Sequence, residues 1–328
     1  MDRGGARTLT PRSIAAISLA FLAITFGGVA LAGANPPIRS ARWVAGEADA
    51  ASVLTHRPVE CLPLRPWSDK ALSIEVGRAA FRTPLLLGGQ ASRAGLSCDS
   101  CHRNGRANPS FFFPGLSGAP GTADVTSALF STRRDDGIDN PKVIPDLGGP
   151  KNRLKIDQRH NDRALRSFIR GLVVDEFDGV EPPAAVLTGL ATYVRALSPA
   201  VCQGRADEPL HAEQTITDTR RAVRAGLAVL KRHDVETAVF LVGAARSQLA
   251  LLDERYAPPS LSADRARIKS AALDLATALA DIRAANPRAQ TDLTDWLARM
   301  PSWADTLRRD EARSLYARGP LLTALTAP

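Results

Sequence analysis

The sequence predicts a mainly α-helical protein, with a loop-rich first half bracketed by helices and a helical bundle after it. Three observations predict this class. Apolar residues recur at three- and four-residue spacing through successive stretches. Prolines stand at the ends of those stretches, where a missing N–H does least harm. After Gln203-Gly204-Arg205 the composition changes: Gly nearly disappears while Ala, Leu and Arg rise.

The chain has 328 residues, of which 45% are hydrophobic, and 42 Lys+Arg against 34 Asp+Glu give a net charge of +8. That balance excludes a disordered chain and a polytopic membrane protein. Met1 to Arg12 is polar and Arg-bearing, Ser13 to Leu31 is apolar without a charge, and small residues follow at Ala30 to Ala34. This order reads as an export signal over residues 1–34. The alternative is an uncleaved N-terminal anchor, since about 19 apolar residues can just cross a bilayer. Either way the body lies outside the cytoplasm, in the periplasm, where disulfides persist. The segment contributes three arginines and one aspartate, so the remainder carries +6. That charge is dispersed, without the Lys/Arg block that tracks a nucleic-acid backbone, and it favours an acidic protein partner or an anionic surface.

Four cysteines divide into a pair and two singles. Cys98-Asp99-Ser100-Cys101-His102 is a C-x-x-C-H run, the attachment pattern of c-type haem. Two thiols a short loop apart add to the two haem vinyl groups, and the adjoining imidazole lies under the iron as its proximal ligand. A redox dithiol has no need of His102 and no βαβ pattern surrounds the motif. A zinc site needs a further ligand and usually a second close pair. The motif therefore predicts one covalently bound haem c on Cys98 and Cys101 with His102 on the iron.

Upstream, Ser68-Asp69 offers an N-cap for a helix carrying Leu72, Val76, Ala79 and Ala80, closed by Pro84 and Gly88-Gly89. From about Asn104 to Gly149 the chain is rich in Gly, Pro, Asn and Ser, and an irregular segment of that length is usually functional or wrapped around something. Phe111-Phe112-Phe113 is either haem wall or ordinary core. Downstream, Ala164 to Val174 is apolar on one side, and Glu181-Pro182-Pro183 opens a helix that Ser198-Pro199 ends. Cys61 precedes the first helix of this half and Cys202 follows the last. If those helices pack together, a Cys61–Cys202 disulfide closes a loop of about 140 residues, worth roughly 4–5 kcal/mol in the chain-entropy model; the alternative is two separate buried thiols.

The run Gly77 to Leu87 followed by Gly95 to His102 resembles the first haem segment of the bacterial di-haem cytochrome c peroxidases and their MauG-like relatives. The similarity extends loosely through Asn140 to Leu147, His160 to Leu165 and Leu190 to Leu197, covering about Ser68 to Leu197. It implies a cytochrome c-like haem domain, placed at residues 35–205. The family's electron relay needs two C-x-x-C-H motifs and this chain has one, so the resemblance bears on fold and cofactor more than on activity.

Residues 206–328 are expected to form an up-and-down four-helix bundle. Its faces are Ile216, Val223, Leu227 and Leu230; Val239, Val242, Leu249 and Leu252; Ile268, Ala272, Leu275, Leu279 and Ile282; and Leu293, Trp296, Leu297 and Met300, the last ending at Pro301 with a further helical piece from Trp303 to Tyr316. His211 and His233 have no partners at metal-ligand spacing and read as surface residues. Trp296, Met300 and Trp303 read as core.

The expected function is an exported mono-haem carrier that exchanges electrons with a periplasmic redox protein. The alternative is a peroxidase-like haem enzyme with an open sixth iron position; a weaker third is a haem sensor or binding module. The sixth ligand discriminates between the first two. Met occurs only at Met1 and Met300, so the haem half holds no Met ligand. Its remaining imidazoles are His56 and His160. His160, in the stretch where the resemblance places the family's distal loop, is the candidate distal ligand; the alternative is a surface turn residue and an open iron.

Overall fold

The computed structural model describes residues 38–63, 66–134, 136–150, 154–156, 163–202 and 207–327. The segment read as an export signal and His160 lie outside the described residues.

Among the described residues eleven α-helices carry the fold: α1 (Ala50–Thr55), α2 (Asp69–Phe81), α3 (Gly89–Ala94), α4 (Cys98–Cys101), α5 (Arg163–Gly171), α6 (Ala184–Ala196), α7 (Ala212–Leu230), α8 (Val235–Arg255), α9 (Ser262–Arg283), α10 (Arg288–Asp310) and α11 (Arg318–Thr326). Strand content is minor. β1 (His56–Pro58) pairs antiparallel with β4 (Asp207–Pro209), and β2 (Thr122–Ala123) with β3 (Lys142–Val143).

Ser68 caps α2 as its sequence position implies, its side chain accepting from the Ala71 N–H at 3.2 Å. α2 then crosses α6 at a glycine pair: a Cβ on Gly77 would collide with the Gly189 carbonyl, so both positions need the missing side chain for the backbones to approach. Leu72, Val76, Leu190 and Tyr193 are buried around this crossing. Each such side chain contributes on the order of 1.5–3 kcal/mol relative to full exposure.

α7, α8, α9 and α10 run in sequence, each packed on the next, and α10 returns to α7. Short connections make consecutive helices antiparallel. The inward residues are the periodic ones: Ile216, Val223, Leu249, Leu252, Ile268, Leu275 and Leu293 are buried, and Trp296 is also buried and donates its indole N–H to the Ala271 carbonyl at 2.9 Å. Leu227, Val239, Ala272 and Leu297 lie half-buried at the margin of the same core. α8 is long and apolar enough to cross a membrane by composition, but here it is a bundle helix with half of that stretch buried in the protein.

One helix boundary differs from the sequence expectation. α10 does not stop at Pro301 but continues to Asp310. An interior proline costs roughly 3 kcal/mol. Burial of Trp296 and Met300 before it and Ala304 and Leu307 after it, all on one face, offsets that cost. Within the Ala164 to Val174 stretch the helix also changes pitch: α5 ends at Gly171 and a π-helical turn covers Leu172–Glu176.

The described residues form one compact unit. α2 packs on α7 and α8 as well as on α6, and a single apolar cluster runs from Trp43 through Phe81, Tyr193, Val223 and Leu249 to Tyr316. A satellite cluster of Ile38, Leu54, Leu315 and Leu321 joins the N-terminal segment, α1 and α11.

Candidate functional site

The C-x-x-C stretch is a single helical turn. Ser97 caps it, and the Ser97 N–H donates to Ser100 Oγ at 3.0 Å in a reciprocal capping box. The chain leaves the turn through Asn104, whose φ of 52° lies in the left-handed region that Asn tolerates better than most residues. Three bonds fix that residue: its N–H donates to Asp99 Oδ1 at 2.8 Å, its Nδ2 to the Pro58 carbonyl at 2.7 Å, and its Oδ1 accepts from Arg82 Nη2 at 2.6 Å. Gly105 follows at φ 76°, where a Cβ would strike the Leu197 side chain at the end of α6.

Cys98 and Cys101 are unbridged and half-buried against the main core. Burial pushes both thiols up to about 12, with the Asp99 charge adding to the effect at Cys98 and Cys98 itself at Cys101. Thiols protonated at neutral pH are poor redox nucleophiles. His102 presents Nδ1 to the Pro145 carbonyl at 3.0 Å. The N–H must therefore sit on Nδ1, and Nε2 carries the lone pair. Burial lowers the His102 pKa, a direction the Pro145 carbonyl partly opposes. The Phe81 ring lies beside the imidazole, centroids 6.5 Å apart.

A separate aromatic row links Trp43 to Phe113 at 6.4 Å, Phe113 to Phe130 at 5.1 Å and Phe130 to Phe177 at 5.9 Å. The Phe111-Phe112-Phe113 run divides. Phe111 is wholly buried core, whereas Phe113 is half-buried and belongs to the row. Glu176, on the π turn just before Phe177, is buried with Oε2 lacking a hydrogen-bond partner among the described residues. Desolvation raises its pKa, although Arg134 lies 3.4 Å away.

The residues present fit a covalently bound haem c. Both thiols are free on one turn, and the imidazole tautomer is set by a carbonyl on its far nitrogen, as in metal-bound histidines.

Cys61 and Cys202 are joined in a disulfide, with Cα atoms 5.2 Å apart and a sequence separation of 141. The bridge touches the motif's support. Arg106 Nη1 lies 3.3 Å from Cys61 Sγ, and its Nε donates to Asp146 Oδ2 at 2.7 Å, next to the Pro145 carbonyl that orients His102. The Gly148 N–H returns to the Gly105 carbonyl at 2.9 Å.

Beneath the motif lies a buried ionic cluster. Arg78 pairs with Glu60 at 2.9 Å and Asp218 at 2.6 Å; Arg82 pairs with the same two carboxylates at 2.8 and 2.9 Å; the Tyr193 hydroxyl donates to Glu60 at 2.8 Å. Burial alone would raise the Glu60 pKa, but the Arg82 and Arg78 charges and the hydrogen bonds hold it far below the usual carboxylate range. The cluster joins the segment before α2, α2 itself and α7, and Arg82 carries it to Asn104.

Sequence reasoning missed Pro145, Asn104, Arg82 and Arg106 as supports of the motif. Asn104-Gly105 had a visible signal, a dipeptide suited to positive φ, and Pro145 sits in the Asn140 to Leu147 stretch. His56, in β1, places Nδ1 3.2 Å from Thr55 Oγ1. His211 is exposed, caps α7 and meets Glu311 at 2.7 Å, and His233 is exposed in the turn after α7. Among the described residues no three His, Cys, Asp or Glu side chains are grouped to hold a metal ion.

Compared with known proteins, the chain matches no family model, no curated protein and no solved structure.

Proposed function

We propose that this protein is an exported mono-haem c-type cytochrome that transfers electrons, with haem bound through Cys98 and Cys101 and His102 as proximal ligand. The observation that carries the reading is the 3.0 Å contact from His102 Nδ1 to the Pro145 carbonyl, beside two free thiols on the preceding turn. It leaves Nε2 for iron and fixes the ring plane. Bound haem supplies a one-electron iron couple. The chain's own residues do the rest: the thiols anchor, His102 orients, Asn104 and Arg82 hold the exit turn, and the Phe81 ring packs beside the imidazole. Export through the segment 1–34, cleaved or retained as an anchor, and a periplasmic redox partner belong to the same reading.

Haem staining after denaturing electrophoresis tests it. The wild-type band is expected to stain, and the Cys98→Ala/Cys101→Ala chain to lose the stain completely. An unstained wild type would overturn the reading.

A peroxidase-like enzyme is the second reading, and Glu176 favours it. A buried carboxyl with one unpartnered oxygen and a raised pKa is the kind of group that handles protons in a dry site. The sixth ligand separates the two readings, and His160 is its candidate. For the carrier, the ferric protein is expected to be low-spin and His160→Ala high-spin by electronic absorption. A spectrum unchanged by that substitution removes His160, and a high-spin wild type favours the enzyme.

A further inference from the structure

Behind the Cys98–Cys101 turn lies a cavity of about 260 Å³. Asp99, Ser100 and Arg103 form part of one wall; Thr215, Arg255 and Tyr316 contribute from the bundle and the segment after it. Cys98, Cys101 and His102 do not line it, although Arg82 and Asn104, which hold the exit turn of the motif, do; an anion site here requires no haem.

The cavity is rich in guanidinium groups, and they are not equivalent. Arg39 is neutralised by Glu254 at 2.9 Å, Arg57 by Glu208 at 3.2 Å, and Arg82 by Asp218 and Glu60. Arg103 and Arg255 are held differently. Arg255, only 7% exposed, donates to the Leu315 and Leu54 carbonyls, both at 2.8 Å, and lies over the Tyr316 ring at 5.1 Å. Arg103 donates to the Val53 carbonyl at 2.9 Å and the His56 carbonyl at 2.7 Å. Among the described residues neither has a carboxylate within ion-pair distance. Carbonyl dipoles fix each guanidinium in place without cancelling its charge. Burial disfavours the charged form of Arg255 and the Arg103 charge adds to that effect, while Tyr316 and Glu254 partly oppose it. Asp99 and Asp207 act on Arg103, and Glu254 on Arg255, only from beyond ion-pair distance, and a buried charge without a close counter-ion is costly.

We propose that this cavity binds a small oxyanion, a carboxylate or a phosphate, clamped between Arg103 and Arg255. Planar guanidinium groups match the paired oxygens of such ligands. The Thr215 and Tyr316 hydroxyls, 3.0 Å apart, spend one proton on each other and keep the second for the ligand. An occupant would link the turn after the haem motif to the end of α8.

Calorimetric titration of the purified full chain, at fixed ionic strength in a buffer free of these anions, tests the site with inorganic phosphate, acetate and succinate in turn. At least one is expected to bind saturably at one site per chain, and the order of affinity distinguishes phosphate from carboxylate ligands. Arg103→Gln is expected to weaken that binding roughly tenfold or more. Ala250→Trp provides a second test, because Ala250 is an exposed lining residue on α8 and the substitution obstructs the cavity without removing charge. It is expected to abolish binding even if Arg103→Gln fails to fold. No saturable binding by any of the three anions, or binding undiminished in Ala250→Trp, would overturn the proposal.

Discussion

Removing the Cys61–Cys202 bridge is expected to lower the stability of the folded chain by about 5 kcal/mol, the chain-entropy value for so long a closed loop. The bond joins positions 141 apart in sequence, from just before α2 to just after α6, so it restrains nearly all of the segment that carries the motif. Its loss has a local consequence as well. Arg106 stands between Cys61 and Asp146, and Asp146 adjoins the carbonyl that orients His102. Urea denaturation of the Cys61→Ser/Cys202→Ser chain against the oxidised wild type measures the first effect as a fall in the transition midpoint. A midpoint within experimental error of the wild type would mean that the unfolded chain gains little freedom from the cut.

Asp218→Asn is expected to cost about 3–5 kcal/mol, the range found when one member of a buried ion pair is removed. The substitution keeps the shape of the side chain but leaves Arg78 and Arg82, both about 5% exposed, with Glu60 as the remaining carboxylate of the cluster. The effect belongs to the unpaired charge rather than to lost packing. Replacing all four ionic residues with apolar ones of similar volume is therefore expected to cost less than the single change. Glu60 adds a pH signature. Its folded-state pKa is depressed, so its stabilising contribution is complete above the unfolded value of about 4.3 and is lost as pH falls below that toward the folded value. Acid titration of stability should show this loss in the wild type and a shallower slope in Glu60→Gln. Equal slopes would contradict the placement of the charge on Glu60.

The elements were legible where local chemistry decides them. Ser68, Pro84, Pro199 and Asn286-Pro287 mark helix ends because capping and the missing proline N–H act within one turn. Cys61 and Cys202 could be paired because the helices they flank pack together. Pro301 misled because its effect is local while the compensation, a buried face running from Trp296 to Leu307, is tertiary. The ionic cluster was illegible for the same reason: Arg78 and Asp218 lie 140 residues apart, and neither has a sequence neighbour that announces the other. The motif itself could be read directly, but the atoms that fix the geometry around it could not. Pro145 is 43 residues from His102 and acts through its backbone, which carries no side-chain signature. His160 lies outside the described residues.

Tryptic mapping of the holoprotein, expressed with export and haem maturation, tests covalent attachment most directly. Cleavage after Arg93 and Arg103 releases Ala94–Arg103, which contains Cys98, Cys101 and His102. Covalent haem predicts that this fragment carries the haem mass and the colour of the protein, and that neither of its thiols can be alkylated. The same fragment recovered at its bare mass, with both thiols open to alkylation, would contradict it.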